Sequence, residues 1–185
     1  EMFHALSDGN GGLIFLKALV FHYLKLTEPE ALAHMVPESV APEADLAQDS
    51  FRQFYGARRS PGEKAPRAYR MRSIKLPYDQ TQYFEAHLDV KQLLPRARAD
   101  GVTLTSWLGA RLMLAIHAEA PLLERKRPVV ISLPVNLRNY YPSATARNFF
   151  NSIRVGHIFD GTETPESLAA DFDATLKYEL SDERV

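Results

Sequence analysis

The 185-residue chain has no cysteine, which excludes disulfides, thiolate nucleophiles and thiolate metal sites and suits a cytoplasmic setting. It also lacks an excess of either charge: at a net charge of -1, no global field recruits nucleic acid or an anionic membrane. Its longest apolar run, residues 13–24, is interrupted by Lys17 and His22 and falls short of the roughly 18 to 20 residues that span a bilayer. With no basic segment before it and no small-residue cleavage site after it, this run is not a signal peptide either. A Gly-x-x-x-x-Gly-Lys loop is missing, which excludes a P-loop enzyme. No His-Glu-x-x-His or similar spacing gathers the scattered histidines, so no metal site is expected. What is present is 45% hydrophobic residues, enough for a proper core in one domain or two small ones. The chain opens with Glu1-Met2-Phe3 directly on its most reactive stretch, which predicts a fragment of a longer protein.

That stretch is His4-Ala-Leu-Ser-Asp8-Gly9, running through Gly11 and Gly12 into an apolar segment. By accident such a pattern arises in about one chain in sixty, so its context carries much of the argument. Histidine, with an unperturbed pKa of about 6.5, suits a general base that takes a proton from an attacking hydroxyl or amine. Asp8 either orients that imidazole, as in a triad, or turns away and braces the loop through a cation; spacing does not choose. Gly9, Gly11 and Gly12 remove side chains where a turn is expected, so that the backbone takes positive φ and a substrate approaches closely. The plain alternative is a half-buried histidine at a strand end, followed by glycines that begin a helix.

Residues 13–26 read as a helix whose polar positions Lys17, His22 and Lys25 share one arc while Leu, Ile, Phe and Val fill the rest, so it wants cover on most of its surface. Thr27, Pro29 and Glu30 form the start of a second helix through Met35. Residues 40–67 read as a crossover or linker with a short helix at 50–55. The basic run from Arg58 to Lys75 suits a phosphorylated ligand or, more simply, a solvated face. Strands are expected at 69–76 and 83–88. A helix follows from Asp89 towards Ala99, kinked or delayed by Pro95 and closed by Gly101. Residues 105–119 form the best-patterned helix, capped by Thr103 or Thr105, with Trp107 and Met113 in the core. A buried strand at 128–137 and an alternating one at 148–159 flank a polar loop, and a final helix spans 165–180 behind Thr164. This order predicts an α/β (α+β) two-layer sandwich over an incomplete sheet.

Two stretches together carry a resemblance. His4-Ala-Leu-Ser-Asp8-Gly9 before an apolar helix, and Pro134-Val-Asn-Leu-Arg138 followed by Arg147-Asn148-Phe149-Phe150-Asn151, resemble the chloramphenicol acetyltransferase-like superfamily. That group includes alcohol acetyltransferases, plant BAHD acyltransferases and condensation domains of nonribosomal peptide synthetases. Together with the Gly101-Val-Thr-Leu-Thr-Ser-Trp-Leu segment, the chain looks most like bacterial alcohol acetyltransferases. The resemblance implies a partial fold of that type with a mixed sheet. Residues 1–66 would be the end of an N-terminal subdomain and the crossover, and residues 67–185 part of a C-terminal subdomain. It implies His4 as base, Asp8 as structural, Gly9 as keeping a channel open, Arg138 as the ion-pair partner of Asp8, and Asn148 and Asn151 in an acyl channel.

The implied reaction moves an acyl group from a thioester, acyl-coenzyme A as co-substrate or a carrier protein, to a small alcohol or amine, with no permanently bound cofactor. Phe3 stands where condensation domains carry a second histidine, which argues against peptide-bond condensation on a carrier. A non-catalytic scaffold that keeps the fold is the alternative from another class. The remaining partners implied are the missing halves of the fold, or other copies of the chain in their absence. Asp8 is expected to face away from the His4 imidazole and to pair, in a forked geometry, with Arg138.

Overall fold

The computed structural model describes residues 3–36, 41–55, 66–72 and 75–181. The chain divides into two compact units, Glu1–Pro61 with Pro134–Ser152, and Gly62–Leu133 with Ile153–Arg184. By compactness the segment 134–152 belongs with the first unit.

In the first unit, Asp8 caps helix α1, Gly9–Thr27, by accepting the Gly11 N–H. The helix therefore starts four residues before the apolar run, and Gly9, Gly11 and Gly12 lie in its first turn. None of them has positive φ, correcting the expected glycine turn; among the described residues only Gly101 and Gly161 do. Gly11 is needed for close approach instead: a Cβ there would collide with the Ala146 carbonyl and the Ser7 Oγ. The expected helix at 27–35 is replaced by turns, because Thr27 ends α1 and its hydroxyl bonds back to Tyr23 and Leu24 carbonyls rather than capping forward. Two short helices follow, α2 (Glu43–Leu46) and α3 (Ser50–Phe54), the latter capped by Asp49. Phe149 is buried, with the rings of Phe51, Phe54 and Tyr141 around it.

Among the described residues the second unit holds three helices, of 10, 16 and 15 residues. Asp89 caps α4, Val90–Ala99, which runs unbroken through Pro95. It ends at Gly101, whose φ of 72° allows the Val102 and Gly101 amides to turn back onto the Ala97 and Arg98 carbonyls. Thr103 caps α5, Leu104–Glu119, and Thr164 with Ser167 forms a reciprocal capping box for α6, Pro165–Glu179. Helices α5 and α6 pack through Gly109, whose missing side chain makes room for the Phe172 ring. Trp107, Met113, Leu168 and Phe172 are buried there. Each such large apolar side chain contributes about 1.5–3 kcal/mol of transfer free energy.

Strands β1 (Val129–Asn136) and β2 (Phe150–His157) pair into a two-stranded sheet. The Leu137 amide bonds to the Phe149 carbonyl at one end and Gly156 lies against Val130 at the other, so the strands run antiparallel. A single turn of 3-10 helix, Leu137–Asn139, follows β1. The described architecture is thus mixed α/β with an antiparallel pair, where a mixed sheet was expected. The expected strands at 69–76 and 83–88 are absent among the described residues. Their alternation is that of extended chain, but Tyr83 and Phe84 stand 87% and 88% exposed with no ladder neighbour. Tyr69 makes one isolated bond to the Pro128 carbonyl. Arg67, Arg70, Arg72 and Lys75 of the basic run are exposed, and Arg58, Arg59 and Lys64 lie outside the described residues. No helix among the described residues is long and apolar enough to cross a membrane.

Candidate functional site

The site is built around the carboxylate that starts α1. Asp8 Oδ1 accepts the Gly11 N–H at 2.9 Å, while Oδ2 accepts the Phe149 N–H at 2.8 Å and Arg138 Nη1 at 2.8 Å. Both partners of this ion pair are buried, with side chains 7% and 8% exposed. Burial pushes the Asp8 pKa up, but the hydrogen bonds from Arg138, Gly11 and Phe149 and the guanidinium charge outweigh it, so the carboxyl is held below its ordinary value.

Arg138 reaches this position because Asn136, ending β1, caps the 3-10 turn and accepts both the Arg138 backbone N–H and Nη1. The pair with Asp8 is made through Nη1 alone, not as the forked contact expected. The rest of the guanidinium is occupied by carbonyls: Nε and Nη2 donate to Thr145 at 3.0 and 2.8 Å, and Nη2 also to Arg147 at 2.6 Å. One arginine thereby gathers the motif aspartate and the returning loop 145–149. Fully buried Thr145 extends the network by donating through Oγ1 to the Gln48 carbonyl at 2.7 Å, and the Ser7 hydroxyl donates to the Ala146 carbonyl at 2.6 Å.

His4 lies in an exposed turn before Asp8, its ring in a T-shaped arrangement with that of Phe150, centroids 6.3 Å apart. Asn148 Nδ2 donates to the backbone carbonyls of both His4 and Ala5, each at 3.1 Å. The three hydrogen bonds described for the Asp8 carboxylate come from Gly11, Arg138 and Phe149, and none from the His4 imidazole. Gly9 is the first residue of α1, and a Cβ there would meet open space. Asn151, half-buried on β2, accepts the Ser152 N–H through its own side chain. Asp8 and Arg138 are thus brought into direct contact and Asn148 is brought to the His4 turn, whereas Asn151 bonds only locally among the contacts described.

A cleft of about 550 Å³ lies along α1, lined by Ile14, Lys17, Phe21, Leu46, Arg138 and Ser143 among others; His4 is not among its lining residues. Among the described residues no cluster of three or more His, Asp or Glu is placed to hold a metal ion. Sequence reading passed over Asn136 and Thr145. An Asn directly before Leu-Arg-Asn is a recognisable cap signal, but nothing local marks Thr145, whose bonds reach across more than ninety residues of chain.

No family model and no curated protein matches the chain. Two solved structures share its fold. Polyketide synthase associated protein 5 from Mycobacterium tuberculosis matches with a TM-score of 0.58 at 18% identity, over 96% of this chain and 47% of that one. The first condensation domain of the CDA synthetase matches with a TM-score of 0.56 at 18% identity, over 100% of this chain and 41% of that one. The chain spans less than half the length of either structure, and its mixed α/β arrangement is similar to the fold of a condensation domain over that part.

Proposed function

We propose that the protein is an acyltransferase in which His4 is the general base. The acceptor hydroxyl or amine gives its proton to the imidazole as its oxygen or nitrogen attacks the thioester carbonyl. Collapse of the tetrahedral adduct breaks the carbon–sulfur bond, and the leaving thiolate takes the proton back from His4. The donor is acyl-coenzyme A, used as co-substrate with no resident cofactor, and the acceptor is a small alcohol or amine. Gly9, Asn148 and Asn151 border the path of the substrates in this reading, and Asp8 with Arg138 holds the loop that aims His4. The complete fold is a two-layer sandwich with a mixed sheet, finished by further polypeptide against the exposed apolar side of α1, where Leu16, Leu19 and Tyr23 are more than half exposed.

The observation that carries this reading is the exposed His4 turn, tied by Asn148, beside a buried Asp8–Arg138 ion pair whose carboxylate accepts from Arg138, Gly11 and Phe149. A donor borne on a carrier protein is the second reading, favoured by the likeness to a condensation domain. The test is thiol release by the full-length protein offered acyl-coenzyme A and acyl-carrier donors with a panel of alcohols and amines. Turnover on free coenzyme A thioesters is expected, and His4→Ala is expected to lower it by roughly two to four orders of magnitude. A folded His4→Ala variant with unchanged turnover would remove His4 from the mechanism.

A further inference from the structure

We propose that Asn148 is a positioning residue for His4, acting on the backbone of the turn that carries the imidazole. This rests on the acyl-transfer reading above and deepens it. The amide nitrogen carries two hydrogens, and each is directed at a different carbonyl, that of His4 and that of Ala5, at 3.1 Å. Two carbonyl partners also fix which end of the amide is nitrogen. The turn has little else to hold it. Its described backbone bond is Leu6 N–H to the Phe3 carbonyl at 3.0 Å, and Phe3, His4, Ala5 and Leu6 are all exposed. Burial therefore does not orient His4, and the Asp8–Arg138 brace begins only four residues later.

Asn148 is itself rigidly carried. The next residue, Phe149, is 1% exposed and gives its N–H to Asp8, while the preceding Arg147 gives its carbonyl to Arg138. Position is thus passed from the buried ion pair through residues 147–149 to the His4 carbonyl. A second observation separates Asn148 from an ordinary packing residue: its Oδ1 is buried without a hydrogen-bond partner among the described residues. The hydrogen bonds this side chain makes among the described residues are therefore the two from its nitrogen. Phe150, two residues on, lies in a T-shaped arrangement with the imidazole, ring centroids 6.3 Å apart. Residues 148 and 150 thus meet the backbone of the His4 turn and approach its ring.

Asn148→Asp keeps the size and removes the donor, placing oxygens against two carbonyls; Asn148→Ala removes the group without repulsion. The full-length protein and both variants are compared by hydrogen–deuterium exchange of the peptide containing residues 4–8, and by kcat and KM for acyl transfer. Exchange in that peptide is expected to quicken about tenfold in Asn148→Asp and less in Asn148→Ala. With a base misplaced by about an ångström, kcat is expected to fall about 100-fold with KM unchanged. Unchanged exchange in both variants overturns the proposal, as does a loss confined to KM, which would make Asn148 a substrate contact. Should Asn148→Asp fail to fold, Asn148→Ala decides by the same two measures. If no donor and acceptor pair gives turnover, the acyl-transfer reading fails, and the exchange measurement still decides whether Asn148 holds the His4 turn.

Discussion

Two buried aspartates, one in each compact unit, hold a helix start in different ways. Asp8 caps its own helix and is met by Arg138, a cation 8% exposed and bonded on every side by the loop. Asp173 sits inside α6 and caps a neighbour: its Oδ1 accepts the Thr103 N–H at 3.2 Å and the Ser106 hydroxyl at 2.7 Å at the start of α5. Its cation, Lys177, lies one helical turn along at 2.5 Å but is 68% exposed. The first arrangement fixes a loop by polar bonds where apolar packing is thin. The second adds a polar latch to helices already joined by Phe172, Leu168 and Met113. Sensitivity to losing the cation should therefore be high in the first unit and low in the second.

The largest effect is expected from Arg138→Ala. It leaves Asp8 buried without a counter-charge and strips the Thr145 and Arg147 carbonyls of their donor, a class of change that costs about 3–5 kcal/mol. Denaturant unfolding should show the loss, and hydrogen exchange should place it in residues 3–12 and 137–149 rather than in α5 and α6. Arg138→Lys is expected to recover less than half, since a single ammonium does not serve Asp8, Thr145 and Arg147 together. Equal exchange in both units would show that the brace is not local.

Acid separates the two aspartates next. Burial raises the Asp173 pKa, but bonds from Lys177, Ser106 and Thr103 bring it down to about 2. A carboxyl whose pKa is lowered by folding contributes stability that is fully present above its ordinary value of 3.8 and is lost as pH falls through about 2. The contribution is about 1–2 kcal/mol once screening through the exposed Lys177 is allowed for. Asp8 shifts in the same direction, so both units weaken below about pH 4. Asp173→Asn should flatten the acid limb of the α5 and α6 exchange profile while leaving that of residues 3–12 unchanged. An acid limb that stays as steep in Asp173→Asn would assign it to another carboxyl, with Glu163 first in line because its pKa is also held at about 2, against burial, by the Asp160 amide and His157.

How much of this was legible in the sequence follows the same divide. In the second unit, caps and periodicity act within a few residues, so α5, whose cap was left between Thr103 and Thr105, and α6 behind Thr164 were read with ends correct to about one residue. The alternation at 69–76 and 83–88 misled because a strand needs a neighbour as well as a pattern, and sequence does not show the neighbour. The triple glycine misled because Gly11 answers a steric demand from Ala146, far along the chain, and not a local demand for positive φ. The Asp8 and Arg138 contact spans 130 residues and no periodicity announces it; it was expected only through the resemblance of two separated motifs. Its monodentate form was not legible at all, since it depends on where the carbonyls of Thr145 and Arg147 fall.

The smallest expected effect gives the sharpest form of the contrast. Lys177 is the strongest single influence holding the Asp173 carboxyl low, yet its ammonium is mostly in water. Pairs of that kind are worth less than about 1 kcal/mol, because solvent and salt replace most of what the partner supplies. Lys177→Ala is therefore expected to cost no more than that at neutral pH, an effect that vanishes in concentrated salt. It should also leave part of the Asp173 pKa depression in place, because the Ser106 hydroxyl and the Thr103 amide stay in contact with Oδ1. The measurement is the carboxyl carbon shift of Asp173 followed through an acid titration in the wild type and in Lys177→Ala, beside a denaturant melt of each. A titration that returns to the ordinary carboxylate range, with a stability loss approaching that of Arg138→Ala, would mean that Asp173 depends on its cation as Asp8 does. The two aspartates would then be one device built twice, with exposure of the cation making no difference.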